Sequence, residues 1–400
     1  MHYDIIIVGA GITGLTASLA LSQEGFKTAL IDAKDFRHTE THASDPRAST
    51  LAATSLNMLR RLGVENALQP HLQVINDMMI GEGRPGHISP LSLHIDGSRR
   101  VIPMGSIIEN SRLLEGLRDA AEKADNLSLY LGRALHDFSA TSAHGQITLE
   151  TGTKLTAPLV IGADGRNSLL RKSASIAVQA RDYDQAAIVT TVAHARPHGG
   201  VAQQLFFAGG PFALLPLPGN RTSLVWSDRK AAIEAAMALD DSAFLSEIER
   251  RLGDHLGEIK LDGPRLSYPL SLQMAESYTG ERLALIGDAA HVVHPIAGQG
   301  LNMGLRDVAA LTNVLSIARA TGLDIGGAEL ARYEEWRAGD NRLLGLVTDQ
   351  LNHLFSNKIT PLRHLRRLGL AAVDKTSGVQ QLFMSEAAGE LGDLPPLLRA

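Results

Sequence analysis

Ile5-Ile6-Ile7-Val8-Gly9-Ala10-Gly11-Ile12-Thr13-Gly14 decides the fold. A β-branched run reads as a buried strand, and the glycines that follow turn the chain straight into a helix carrying Leu15, Leu19 and Leu21, which the pattern extends to about Glu24. A second apolar strand, Lys27 to Ile31, ends at Asp32. Strand, glycine turn, helix, strand and acidic residue make a complete βαβ opening of the dinucleotide-binding kind. Gly9 takes the tight turn, Gly11 lets backbone approach a pyrophosphate, and Gly14 packs helix against strand. The helix N-terminus then faces the phosphates. A carboxylate at Asp32 suits free ribose hydroxyls, so the expected ligand is an adenine dinucleotide without a 2′-phosphate.

Outward from this unit, Asp45-Pro46-Arg47 precedes a helical pattern at Leu51, Leu56, Leu59 and Leu62, and strand-like stretches follow at Met78 to Ile80 and Leu91 to Ile95. Asn110 to Lys123 reads as an amphipathic helix. The strand Leu159 to Gly162 runs into Asp164-Gly165, a turn that could equally cap a helix. Strand candidates between 178 and 270 form a separate sheet, Leu283 to Ile286 returns the chain to the first pattern, and the remainder is mostly helical. The predicted class is α/β: a Rossmann-like nucleotide domain from 1–72, 106–177 and 273–325, interleaved with a mixed-sheet substrate domain from 73–105 and 178–272, then a helical region, 326–400.

The 400 residues are 44% hydrophobic and 20% charged, a globular composition that excludes a disordered or collagen-like chain. A net charge of −5 gives no global case for nucleic acid. With no cysteine there are no disulfides, thiolate metal sites or cysteine nucleophiles, which fits a reducing cytosol. The apolar run Ile5 to Ala10 is far shorter than the ~20 residues that span a bilayer and has no basic start. A cytoplasmic protein is expected, with peripheral attachment at the inner face of the membrane left open. The commonest nucleophile-elbow, P-loop and zinc-protease motifs are missing, and His291 and His294 lie in a glycine-rich loop after Asp288 where no metal site is expected.

Three segments, Gly9 to Gly14, Asp164-Gly165 and Gly287-Asp288 with Gly298-Gln299-Gly300-Leu301-Asn302, together resemble the flavoprotein aromatic hydroxylases, the group that includes para-hydroxybenzoate hydroxylase and the ubiquinone-biosynthesis hydroxylases. The resemblance covers most of the chain. It implies FAD, with the pyrophosphate at Gly9, Gly11 and Gly14 and the adenosine ribose at Asp32, where glutamate is commoner in the family. It further implies Asp288 on the ribityl chain, Gly298, Gly300, Leu301 and Asn302 beside the pyrimidine edge of the flavin, Arg47 near its phosphates and Asn110 next to the ribityl chain. Asp164 and Gly165 are associated with both FAD and reduced nicotinamide. A helix N-terminus near N1 suits the anionic reduced flavin.

Glu109-Asn110, Ala202-Gln203, Pro216, Trp226, Tyr333, Arg337 and Leu354 to Asn357 look most like the ubiquinone branch. The implied reaction is hydroxylation of a phenol, polyprenylated in that branch, through a flavin C4a-hydroperoxide, with O2 as co-substrate and NAD(P)H or a redox partner as electron donor. No general base is assigned. A small soluble phenol as substrate, an FAD oxidase, and a non-catalytic prenyl-binding protein on the same fold are the alternatives. Arg363, Arg366 and Arg367 among the leucines of Pro361 to Leu370 suit a membrane surface, a partner, or a helix packed on the protein.

Overall fold

The computed structural model describes residues 2–38, 45–84, 87–97, 103–355 and 384–400. The basic stretch Pro361 to Leu370 and Asn357 lie outside them. Ile5–Val8 is the middle strand of a six-stranded sheet, paired in parallel with Thr28–Asp32 on one side and Leu159–Gly162 on the other. Leu127–Leu131 and Leu283–Leu285 extend it in parallel, and Thr279–Gly280 closes one edge antiparallel. Ile5, Ile6 and Ile7 are fully buried, as an unbroken apolar run in a sheet covered on both faces must be. The chain enters the sheet at its centre and builds first one way, then the other. Such an order reversal opens a crevice at the carboxyl ends of the two central strands. The first helix, Ile12–Gln23, starts there.

A second, nine-stranded sheet contains Asp77–Arg84, His87–Asp96, Val178–His194, Val201–Phe206, Pro211–Leu217, Arg221–Arg229 and Leu266–Ala275, with short strands Ile259–Leu261 and His291–Val292. Side chains alternate across it, so its faces divide cleanly. Leu205, Phe212, Leu214, Leu224 and Trp226 face helices Lys230–Met237 and Asp241–Leu252 and form a core with Phe244 and Ile248. The Arg251 guanidinium lies 3.8 Å from the centre of the Trp226 ring, so Trp226 serves this core and not a ligand. On the opposite face Ile80, Gln204, Ala213, Val225 and Val189 stand side by side on five neighbouring strands.

The sheets are joined through a three-stranded ribbon, Ala48–Ala52, Gly105–Glu109 and Gln73–Val74. Glu109 at its end takes two hydrogen bonds from Arg221 of the large sheet, 3.0 and 3.2 Å, and Arg221 also donates to Asp262 at 2.6 Å. This ionic clamp fixes the start of helix Asn110–Glu122, and the Asn110 amide donates to the Arg47 carbonyl at 2.9 Å.

Candidate functional site

The glycine turn is built as its sequence requires, and the three glycines do different things. Gly9 has φ +107, and a Cβ placed on it would sit 2.2 Å from the Ala163 carbonyl oxygen. One on Gly14 would sit 1.9 Å from the Gly9 oxygen. Both positions exist to let helix, turn and the Leu159–Gly162 strand touch. Gly11 is different: a Cβ there meets nothing within 4 Å among the described residues. The space over Gly11 is open, which is what close approach of a ligand to backbone needs.

Distant motifs close on this turn. Cβ atoms placed on Gly287 and Gly304 would each come within 3.0 Å of the Thr13 hydroxyl, so the Gly287-Asp288 turn and helix Gly300–Ala320 both pack against the first helix. Asp164 caps the short helix Leu169–Ser173, its Oδ2 accepting from the amides of Leu169 at 2.7 Å and Leu170 at 3.2 Å. Its Oδ1 is buried and finds no partner among the described residues, a state that polar atoms rarely keep without a ligand or water. Gly165, at φ +79, makes the turn that follows. Asp32 holds the Ala10 amide at 2.6 Å and the Lys34 amide at 2.7 Å, so its carboxylate braces the glycine turn and retains acceptor sites for hydroxyl donors.

Asp288 keeps an open surface although protein is packed densely round it. That crowding pushes its carboxyl above the ordinary carboxylate range, and His291, Arg47 and Arg166 partly offset the rise. Arg47 is clamped by three bonds to the Asp45 carboxylate, 2.6, 2.8 and 3.1 Å, which raise its pKa further and fix a half-exposed cation. Asn110 accepts from the Ser49 hydroxyl at 2.6 Å. Asn302 is buried and its side chain is spent on the protein: Oδ1 accepts from the Ala52 amide and the Ser55 hydroxyl, Nδ2 donates to the Thr50 carbonyl. It latches the Ala48–Ala52 ribbon to the helix start, leaving backbone at Gly300 and Leu301 to face a ligand. That helix has no side-chain cap at its N-terminus, and a Cβ on Gly300 would meet only Val293, 3.9 Å away.

Under the Asp288 turn lies a buried ionic network that sequence reasoning did not find. Asp307 is fully buried; its Oδ2 accepts from His291 Nε2 at 2.5 Å and from the Gly287 amide at 3.1 Å, its Oδ1 from Arg337 Nε at 2.9 Å and Asn341 at 3.1 Å. Burial alone would raise this carboxyl, but His291 and Arg337 outweigh it and hold it well below its usual range. His291 and His294 therefore part company. His294 is fully buried edge-on to Tyr183, with neither ring nitrogen bonded among the described residues, and burial, opposed by Asp349, takes its pKa down to about 4.

The neutral His294 has a consequence for acid stability. Between its ordinary pKa of 6.5 and about 4 the unfolded chain binds a proton that the folded chain refuses. Stability should thus fall as pH falls through that window, by up to ~3 kcal/mol, and be unaffected by this group above it. Urea unfolding near pH 7 and pH 4.5 checks this. His294→Phe should flatten the slope, and an unchanged slope would refute a neutral buried imidazole.

Between the Asp288 loop and the large sheet is a cavity of about 610 Å³, floored by the apolar side chains of Ile80, Ala213, Val225 and Val189 with Gln204 the one polar member of that row. Arg47, Asn110, Gly298, Gly300 and Leu301 stand on its wall, and so does Tyr268. Burial pushes the Tyr268 hydroxyl above the usual phenol range, Arg47 opposing and Asp45 adding to it, so it stays protonated. Sequence carried no sign of Tyr268, which lies in an ordinary alternating strand.

A family profile described as "FAD binding domain" matches residues 2–338. The chain is 42% identical to the ubiquinone hydroxylase UbiL of Rhodospirillum rubrum, over 99% of this chain and 92% of the relative. It is 33% identical to the 3-demethoxyubiquinol 3-hydroxylase of Escherichia coli, over 96% of this chain and 98% of the relative. Among solved structures, p-nitrophenol 4-monooxygenase PnpA from Pseudomonas putida superimposes with a TM-score of 0.79 at 15% identity, covering 96% of this chain and 98% of that one, a likeness of fold.

Proposed function

The chain belongs to the FAD-binding family of aromatic hydroxylases and is an FAD-dependent monooxygenase, and from that membership we propose that it hydroxylates the ring of a polyprenylated phenol in ubiquinone biosynthesis. Its relatives at 42% and 33% identity are named for that chemistry. The observation that carries the reading is the apolar cavity set between the nucleotide crevice and the large sheet. No helix among the described residues is long and apolar enough to cross a membrane.

The residues fit the cofactor. The open space over Gly11, the orphaned Asp164 oxygen and the uncapped start of helix Gly300–Ala320 are each places where polar ligand atoms would complete the protein. Gly9, Gly11 and Gly14 would admit the pyrophosphate, Asp32 would hold the adenosine ribose, and Asp164 and Gly165 would flank the cleft. Asp288, Arg47 and Asn110 would hold the middle of the molecule, and Gly298, Gly300, Leu301 and the Asn302 backbone its ring edge. When bound, FAD supplies the redox chemistry that activates O2, with a reduced nicotinamide or a redox partner as electron donor.

The chain's own work is placement and exclusion. Val189, Val225 and Ala213 present a flat apolar surface to an aromatic ring, and water has few partners there. Protonated Tyr268, beside the Arg47 cation, is placed to bind a ring hydroxyl and so fix which carbon faces the flavin. Conversion of a short-chain prenylated phenol under ¹⁸O2 tests the proposal: one labelled oxygen in the product is expected, from a yellow protein, with NADH and NADPH compared as donors. Unlabelled product with accumulating hydrogen peroxide would overturn it in favour of an oxidase.

A further inference from the structure

The substrate cavity has a mouth, and its position can be read from exposure. Gln299, Leu344, Val347 and Glu386 line the 610 Å³ cavity and also a second one of about 510 Å³ that runs along the first turns of helix Gly300–Ala320. A residue that lines a cavity and is open to solvent marks an opening. Val347 is 44% exposed, and its neighbours on helix Leu330–Phe355, Leu343 and Leu346, are 63% and 56% exposed. Asp340, Leu343, Leu344 and Val347 recur at helical spacing, so one face of this helix fronts both spaces.

We propose that the junction at Leu344 and Val347 is the passage through which the apolar tail of the substrate leaves the ring-holding cavity, to lie over the exposed stripe of Leu343, Leu346 and Val347. The inference rests on the reading of the substrate as a prenylated phenol. A cavity of this size takes one ring system with a short substituent, so a long chain attached to that ring has to emerge. The second cavity shares this exit: Leu343, Leu344 and Val347 line it too, so the stripe is its apolar rim. Arg337 and Asn341 deeper in its wall are buried and bonded to Asp307, leaving no hydrogen-bonding capacity for an apolar tail to displace. The aliphatic rim, by contrast, is surface that gains by being covered. The side chains at 344 and 347 then set which tails pass.

The experiment compares two phenols with the same ring, one bearing a methyl group and one a geranylgeranyl-length tail, using the flavin-loaded enzyme. The quantity read is the ratio of kcat/KM for the tailed over the tail-less phenol. Val347→Trp and Leu344→Trp, which narrow the passage, should lower that ratio roughly tenfold or more. Leu343→Glu/Leu346→Glu, on open surface where folding tolerates charge, should lower it roughly fivefold, chiefly through KM for the tailed phenol. Leu323→Trp, at a distant exposed position, serves as control. A ratio unchanged in all three variants overturns the passage. So does a fall in melting temperature of the Leu343→Glu/Leu346→Glu protein without a change in ratio, which would mean that protein covers the stripe. Wild-type enzyme that converts neither phenol sinks the functional reading and the passage with it; conversion of both with an unmoved ratio removes the passage alone.

Discussion

Gly11→Val is expected to give a folded, colourless protein. The substitution meets no atom of the described residues within 4 Å of its Cβ, and the Gly11 backbone, at φ −73 and ψ −179, is open to any residue. Stability should therefore change by less than about 1 kcal/mol, as for other substitutions without a steric or buried-polar penalty. FAD affinity should instead fall roughly 100-fold or more, about 2.7 kcal/mol, because the valine fills the space a pyrophosphate needs. Gly14→Val should behave in the opposite manner: its side chain would be driven into the Gly9 carbonyl, and the chain should fail to fold. Thermal unfolding and the flavin absorption of the purified proteins separate the two. A Gly11→Val protein that retains full flavin would show that the nucleotide lies elsewhere.

Asp307→Ala should produce the largest loss of stability from a single charged residue, about 3–5 kcal/mol by urea unfolding. Removing the carboxylate strands Arg337, which is only 3% exposed, and takes partners from His291, Asn341 and the Gly287 amide together. Arg337 keeps its bond to Asp340 at 3.0 Å, which limits the damage. Because Asp307 also fixes the turn that carries Asp288, the variant should retain less flavin even where it remains folded. Asp307→Asn keeps one acceptor oxygen but removes the charge and sets an NH2 against two donors, so it too should lose stability, less than the alanine variant only by the bonds its remaining oxygen keeps. A loss under 1 kcal/mol in the alanine variant would show that the network is incidental to the fold.

What could be read in the sequence was what local backbone chemistry dictates. The turn at Gly9 and the packing at Gly14 follow from where a Cβ is forbidden, Gly11 from the spacing of the glycine turn, and the unbroken β-branched run Ile5 to Val8 from what a strand buried on both faces needs. The strand ends at Asp32 and Asp164 and the helix beginning at Gly300 were legible for the same reason. Pairings set by tertiary contact were not. Nothing near Asp307 announces that its partner is Arg337, one helix further on. Asn302 sits in a motif but turns inward, because the Ala48–Ala52 ribbon offers it a better set of partners. The cavity floor depends on the register of five strands drawn from separate parts of the chain, and Tyr268 and His294 matter only through what those registers bring beside them.

The first strand occupies the middle of its sheet, and one of its partners, Leu159–Gly162, is itself completed only by Leu283–Leu285. On the ribosome, at roughly 5–20 residues per second, Ile5 to Val8 therefore waits on the order of tens of seconds before its final neighbours exist. During that interval an aliphatic segment with no charge of its own is open to any other unfinished polypeptide. Slow translation and holding chaperones bear directly on the yield of this enzyme, because a deeply enclosed segment is made long before the strands that enclose it.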